Sequence, residues 1–466
     1  MADGPGYRFE PLQRRGLLLG LGPGQLAVAA VSVVAAVGLV TSLGGAGGFL
    51  AATAVAVLGA LLCRPVAGRP PLEWAVASAA FAVRRRPWVA APPGATPASP
   101  PKRLPPIGTL APGTRLAELA ASGAQGPVGV VLDERSATAA AVLRAGGGAF
   151  CLLDGPDKER KLAAWAAVLE SLSAHRSELV RLQWCQRARP ASSDRLLRLL
   201  ERAGDQASPG FAGHAALLER AGARAWRHET FLVVAVRCPA NRRRLSQHGA
   251  AALRTEVHAL RARLRDAGIA CEGILDAQGL AAALGSFLVP GLDRHPFAHP
   301  WPLAFEEHWS DLHVDGHWYR TYWVADWPRS HVGPDFLSPL LVGRGRRSFS
   351  VVMAPVPPER AARDAESSRT AHIADAQLRA HGGFLETARD RRRAEAVEER
   401  EVELAEGRGA FQLAGYVTAS AGEKAELEQA CAELERAAGA ARLCLRTLYG
   451  RQRDALTWAL PFGRGL

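Results

Sequence analysis

The sequence is poor in lysine. Lys102, Lys158, Lys161 and Lys424 are the only lysines among 57 basic residues. None of the four is followed by Ser or Thr, which excludes the phosphate-binding loop G-x-x-x-x-G-K-[ST]. G-x-S-x-G is absent too, so there is no nucleophile elbow of the α/β-hydrolase kind. No C-x-x-C occurs, and the 7 cysteines are odd in number. Most sit in apolar runs such as Phe150-Cys151-Leu152-Leu153, which reads as small buried thiols in a reducing compartment. Charge is missing altogether between Gly16 and Cys63.

That charge-free stretch holds two apolar runs, Leu26 to Leu43 and Phe49 to Leu62, separated by Gly44-Gly45-Ala46-Gly47-Gly48. The first is long enough to cross a bilayer core of about 30 Å, and the glycines extend the second. In lipid each run must satisfy its backbone internally, so each is expected to be a helix. The stretch is too long and starts too late for a signal peptide. Arg8, Arg14 and Arg15 precede it, and Arg64, Arg69 and Arg84-Arg85-Arg86 follow it. Positive flanks stay inside, so the expectation is a two-helix protein of the inner membrane with both termini cytoplasmic. Pro71 to Phe81, with Trp74 and Trp88 near its ends, reads as a short amphipathic helix on the membrane surface or on the soluble part.

The chain has 466 residues, 48% of them hydrophobic, and a formal net charge of +12. That length implies two or three folding units. Heavy use of Ala, Gly, Arg and Pro reads as a GC-rich coding bias. The positive charge is therefore assigned to the membrane boundary before nucleic acid.

Four regions are expected. Residues 1–90 form the membrane hairpin and juxtamembrane helix, and the Pro/Ala/Ser-rich 91–106 form a linker. Residues 107–300 form a cytoplasmic α/β subdomain, and 301–466 a second one. In the first, strands are expected at Gly129-Leu132, Phe150-Asp154, Leu179-Cys185 and Thr230-Val236. Helices are expected from Lys158 to His175, Gln247 to Ala267 and Leu280 to Leu288. In the second, Asp315-Gly316 marks a hairpin turn before the aromatic strand Trp318-Val324. Ser348-Met353 is a further strand. A charged helical hairpin near 358–406, broken at His381-Gly382-Gly383, precedes Phe411-Thr418, a helix from Ala421 to Ala440, and Leu443-Leu448. The fold class is α+β, ending in a ferredoxin-like strand–helix–strand. No sequence repeat is visible.

Candidate chemistry is sparse. Val130-Val131-Leu132-Asp133-Glu134 has the outline of a Walker B strand, but with no phosphate loop it reads as a strand entering a turn. His295, His299, His308, His313 and His317, with Glu306 and Glu307, could supply metal ligands, yet their spacing fits no ligand pattern. Arg242-Arg243-Arg244 and Arg344-Gly345-Arg346-Arg347 could meet phosphate or acidic partners. No residue is assigned a catalytic, cofactor-binding or metal-binding role, and no cofactor is expected.

Two blocks resemble known families. The hairpin with Gly68-Arg69-Pro70-Pro71-Leu72-Glu73-Trp74 and Arg84-Arg85-Arg86 resembles the PrgI-type membrane subunit of type IV secretion and conjugation systems. The pieces Tyr319-Arg320-Thr321-Tyr322-Trp323, Trp327-Pro328 and Phe336-Leu337-Ser338-Pro339-Leu340 resemble the N-terminal, non-motor domain of CagE/TrbE-type conjugation ATPases. So do Met353-Ala354-Pro355-Val356, Phe411-Val417, Arg446-Gln452 and Leu460-Pro461. The resemblance implies a non-catalytic structural subunit that docks a separately encoded motor ATPase, with other membrane subunits and lipid as further partners. Two alternatives stand beside it: a membrane subunit of a type VII secretion machine, and a membrane-tethered enzyme or nucleic-acid-binding protein.

Overall fold

The computed structural model describes residues 23–64, 70–84, 88–89, 110–146, 150–173, 178–191, 194–238, 245–288, 302, 304–381 and 388–466. The expected linker 91–106, His295, His299, Arg242-Arg243-Arg244 and the arginines before the first helix lie outside them. The chain divides into two compact units, one of residues 11–85 with 370–391 and one of the remainder.

In the first unit, α1 (Pro23–Leu43) and α2 (Gly45–Cys63) are antiparallel helices long and apolar enough to cross a membrane. Their 21 and 19 residues span about 32 and about 29 Å at 1.5 Å per residue. The break between them is a tight turn. Gly44 and Gly45 alone take positive φ, 56° and 60°, and Gly47 and Gly48 already lie within α2. The helices pack where Gly59 meets Ser32, a place a Cβ would fill. At the open end Gln25 Nε2 donates to the Cys63 carbonyl at 2.8 Å. An amphipathic helix α3 (Pro71–Arg84) follows.

In the second unit the described strands form one sheet of thirteen, every pair antiparallel. The class is α+β. A short strand β1 (Trp88–Val89) comes first. Then follow β2 (Thr114–Leu119), β3 (Val128–Asp133), β4 (Thr138–Ala145), α4 (Gly155–Leu172) and β5 (Leu179–Pro190). Next come α5 (Asp194–Ala203), α6 (Phe211–Arg224), β6 (Trp226–Arg237), α7 (Gln247–Asp266), β7 (Cys271–Ile274) and α8 (Ala277–Leu288). The chain continues with β8 (Ala304–Glu307), β9 (Leu312–Val314), β10 (His317–Asp326), α9 (Ser338–Leu341) and β11 (Arg347–Val356). It ends with α10 (Pro358–His381), α11 (Ala388–Ala405), β12 (Ala410–Ala421), α12 (Lys424–Ala440), β13 (Cys444–Thr447) and α13 (Gln452–Ala459).

One expected strand is not there. Phe150–Leu152 is a 3-10 turn. Asp154 caps α4 by accepting from the Asp157 N–H at 2.8 Å, and Pro156 fits the first helical turn. Those local signals turn an apolar run into a helix entrance and leave Cys151 and Leu152 exposed.

Element for element, the sheet is built twice. β2 through α8 and β8 through α13 follow the same order: three strands, a helix, a strand, a helical pair, a strand, a helix, a strand and a helix. The pairings agree. β3 and β7 share one edge of β4 while β6 takes the other. β9 and β13 share one edge of β10 while β12 takes the other. Each strand–helix–strand unit, β6–α7–β7 and β12–α12–β13, therefore straddles a third strand.

The packing repeats too. α7 buries Leu253, Val257, Leu260 and Leu264, and α12 buries Leu427, Cys431, Leu434 and Ala438 at identical spacing. Both helices end in the same hydrogen-bonded cap. Ile269 N–H donates to the Leu264 carbonyl and Leu443 N–H to the Ala438 carbonyl, both at 2.8 Å. The residue in the left-handed conformation is Gly268 in one and Arg442 in the other. The halves meet where β5 pairs with β11, Gln183 opposite Val352 and Cys185 opposite Ser350.

α7 and α12 cover one face of the sheet, over clusters around Leu143, Leu182 and Val234 and around Tyr322, Phe349 and Val417. α8 and α13 cover the other face, over Val233, Cys185 and Tyr319.

Candidate functional site

His308, His313 and His317 are the described members of the histidine set. His308 and His313 both stack on Trp318, with ring centroids 5.2 and 4.5 Å away. Lys424 Nζ lies 4.9 Å from the same ring centre. Asp315-Gly316 forms the expected turn, and His313 and His317 sit on its two strands, in register with Trp318 and Val314. Burial, helped by Arg346, pulls the His317 pKa down and keeps the ring neutral. Among the described residues no group of three or more His, Cys, Asp or Glu side chains is placed to hold a metal ion.

The Walker-like strand ends in structural carboxylates. Asp133 closes β3 and accepts from Arg464 Nε at 2.7 Å, Arg464 Nη2 at 2.5 Å and Ser136 Oγ at 2.6 Å. Burial alone would raise its pKa, but Arg464 and Ser136 outweigh burial and hold the carboxyl below its ordinary value. Glu134 pairs with Arg115. The Arg344–Arg347 loop folds on itself: Arg347 donates to the Leu340 carbonyl at 3.1 Å and to the Arg344 carbonyl.

The most charged buried place escaped the sequence reading. On β5 and β6, Arg187 lies 2.5 Å, Arg189 3.2 Å and Arg227 3.3 Å from the buried Glu229 carboxylate. Arg187 also stacks over Phe287 of α8 at 4.3 Å. Burial works against the charge on Glu229, yet Arg187 and Arg189 prevail and bring its pKa to about 2. The available signal was the period-two placement of Arg187 and Arg189, and of Arg227 and Glu229, on adjacent strands.

A second buried hub sits at the seam. Gln183 Nε2 faces Ser350 Oγ at 2.7 Å, the Leu460 carbonyl at 2.8 Å and the Trp458 carbonyl at 3.1 Å. Its Oε1 accepts from the Gly463 N–H at 2.8 Å. Gln452, at the start of α13, accepts from the Thr321 N–H and donates to the Thr321 carbonyl, at 2.8 and 3.1 Å. Residues 452–464 thus bind both halves of the sheet through backbone and side-chain bonds. Burial pushes the Cys185 thiol up to about 12 and raises that of Cys431, so neither is a thiolate at neutral pH.

These polar groups hold the fold together. Surface features are found instead on α5 and α6, where Leu196, Leu199 and Leu217 are 53%, 61% and 57% exposed. No family model matches the sequence, and no curated protein matches it.

Proposed function

We propose that this chain is a non-catalytic inner-membrane subunit of a secretion apparatus, anchoring and docking a separately encoded motor ATPase. The observation that carries the reading is a combination within one chain. A charge-free pair of helices of membrane-spanning length accompanies a large sheet whose buried charges, Asp133, Glu229 and their arginines, are engaged in holding the sheet together. Such a sheet offers surface for partners. Both termini face the cytoplasm in this reading, because arginine flanks the hairpin on both sides and its turn carries none. The resemblance to PrgI-type subunits and to the non-motor domain of CagE/TrbE-type ATPases supports an apparatus of the type IV and conjugation class.

One observation weighs against the type IV class and leaves a type VII secretion machine as the second reading. The part that resembles the ATPase domain is half of a duplicated sheet whose other half, β2 to α8, the resemblance leaves unexplained.

Purification of the tagged full chain from detergent extract tests the proposal. A motor ATPase and other secretion subunits are expected to co-purify, and recovery of neither sinks it. Neighbouring reading frames for small secreted substrates and a membrane protease would select the type VII class.

A further inference from the structure

One strand stands outside the duplication. β2 to β7 belong to the first half of the sheet and β8 to β13 to the second. β1 belongs to neither and precedes both in the chain. It does not pair with the half that follows it. It lies along β8, with Trp88 opposite Phe305 and Val89 opposite Ala304. The matching edge strand of the first half, β2, ends the strand order and has no outer partner among the described strands. The fold therefore does not require an added strand at this edge.

β1 is also the first described element after α3, and only Arg85, Arg86 and Pro87 separate the two. An extended chain covers at most about 3.6 Å per residue, so those residues are a short link. The linker expected at 91–106 comes after β1, on the way to β2. While β1 is paired, that linker does not lie between the hairpin and the second half of the sheet. Once β1 leaves β8, the chain from α3 to the next strand is the whole of residues 85–113. The hold itself is slight. The Ala304 N–H donates to Asp315 Oδ1 at 2.7 Å, and the Ala304 carbonyl accepts from the Asp315 N–H at 3.1 Å. Ala304 thus directs its backbone bonds away from β1, which leaves Trp88 and Phe305 as the bonded pair of this ladder. A single such pair can part without unfolding the strands beyond it.

We propose that β1 is a detachable clasp that sets the length of the tether between the membrane hairpin and the sheet. Paired, it holds the second half, β8 to α13, on the short link. Parted, it leaves the sheet attached through residues 85–113. The membrane segment is thereby joined to the half of the sheet that lies farther from it in sequence. The clasp goes beyond the platform reading and requires only that the hairpin be anchored in the membrane.

Cysteine pairs in the full chain, oxidised in native membranes, test it. Val89→Cys with Ala304→Cys joins a non-hydrogen-bonded pair, where side chains across antiparallel strands come closest. Val89→Cys with Ala120→Cys is the comparison, since exposed Ala120 stands just beyond β2. Exposed Cys151 and Cys444 are replaced by serine, and peptide mapping identifies the bond formed. On chain length alone, the shorter loop to position 120 closes more readily. The expectation is the reverse, with the 89–304 bond forming at least about fivefold more than the 89–120 bond. Trp88→Pro removes the N–H that β1 offers to Phe305. It is expected to cut the 89–304 yield at least about fivefold, with thermal unfolding of the sheet unchanged. An 89–120 bond that equals or exceeds the 89–304 bond, or a yield indifferent to Trp88→Pro, overturns the clasp. A Trp88→Pro chain with a lowered unfolding temperature also overturns it, because β1 is then a fixed part of the sheet. Absence of the ATPase from detergent extracts strikes the platform reading and leaves these yields as they are.

Discussion

Arg464 and Asp133 stand 331 residues apart in the chain and form a buried, two-pronged ion pair. It fixes the last residues of the second half onto the end of β3 in the first. Removing one partner leaves the other charge buried, which costs about 3–5 kcal/mol in comparable pairs. Arg464→Ala is therefore expected to lower the urea midpoint of the detergent-solubilised chain strongly. Asp133→Ala with Arg464→Met should recover part of the loss, because the orphaned charge is gone. A single Arg464→Ala chain as stable as wild type contradicts this role.

Gln183 gives a second handle on the same join. Its amide meets Ser350, two carbonyls of the C-terminal segment and the Gly463 N–H. A net hydrogen bond is worth about 1 kcal/mol, and unsatisfied buried partners add to the loss. Gln183→Leu is expected to destabilise by about 3 kcal/mol, and Ser350→Ala by about 1 kcal/mol, since Ser350 removes only one of these contacts. Chemical denaturation of both variants and their double mutant checks the ordering, and the double should cost less than the sum.

The long elements were legible because periodicity and caps agreed. Asp315-Gly316 announced its turn, and the spacing of Leu253, Val257, Leu260 and Leu264 announced α7. β2, β7 and β8 were not legible. Thr114–Leu119 mixes Arg115 and Glu118 into its alternation, and Cys271–Ile274 is four residues long. The duplication was hidden because it survives as spacing and pairing, while identities have drifted, Val257 to Cys431 and Leu264 to Ala438. The buried polar hubs were equally hidden. A glutamine within Leu182-Gln183-Trp184 reads as a solvent-facing strand position until the C-terminal segment is seen lying over it.

Glu229 predicts an acid response. Its carboxyl has a pKa of about 2 in the folded chain against an ordinary value of 4.5. A depressed folded value gives stability that is complete above the unfolded pKa and lost as pH falls through the folded one. Wild type should thus lose about 3 kcal/mol between about pH 5 and pH 2 through this group. Glu229→Gln should be less stable at pH 7 and show a flatter profile across that window. Parallel pH profiles for the two chains would remove Glu229 from the account of acid unfolding.

Gly268 and Arg442 test the duplication directly, because they occupy the same point of the same cap. Both adopt positive φ, 65° and 56°, where a side chain costs roughly 1–2 kcal/mol and glycine is free of that penalty. Glycine in turn loses about 0.5–1 kcal/mol more backbone entropy on folding. Arg442 also donates to Ser330 Oγ at 2.6 Å, an exposed bond of small worth. The balance favours glycine at both positions. Gly268→Arg is expected to destabilise the chain by about 1 kcal/mol. Arg442→Gly is expected to leave stability unchanged or raise it by up to about 1 kcal/mol. Differential scanning calorimetry on the two variants reads the sign. A loss above about 1 kcal/mol for Arg442→Gly would mean that the second cap depends on its arginine, so that matching backbone bonds no longer make the two caps equivalent.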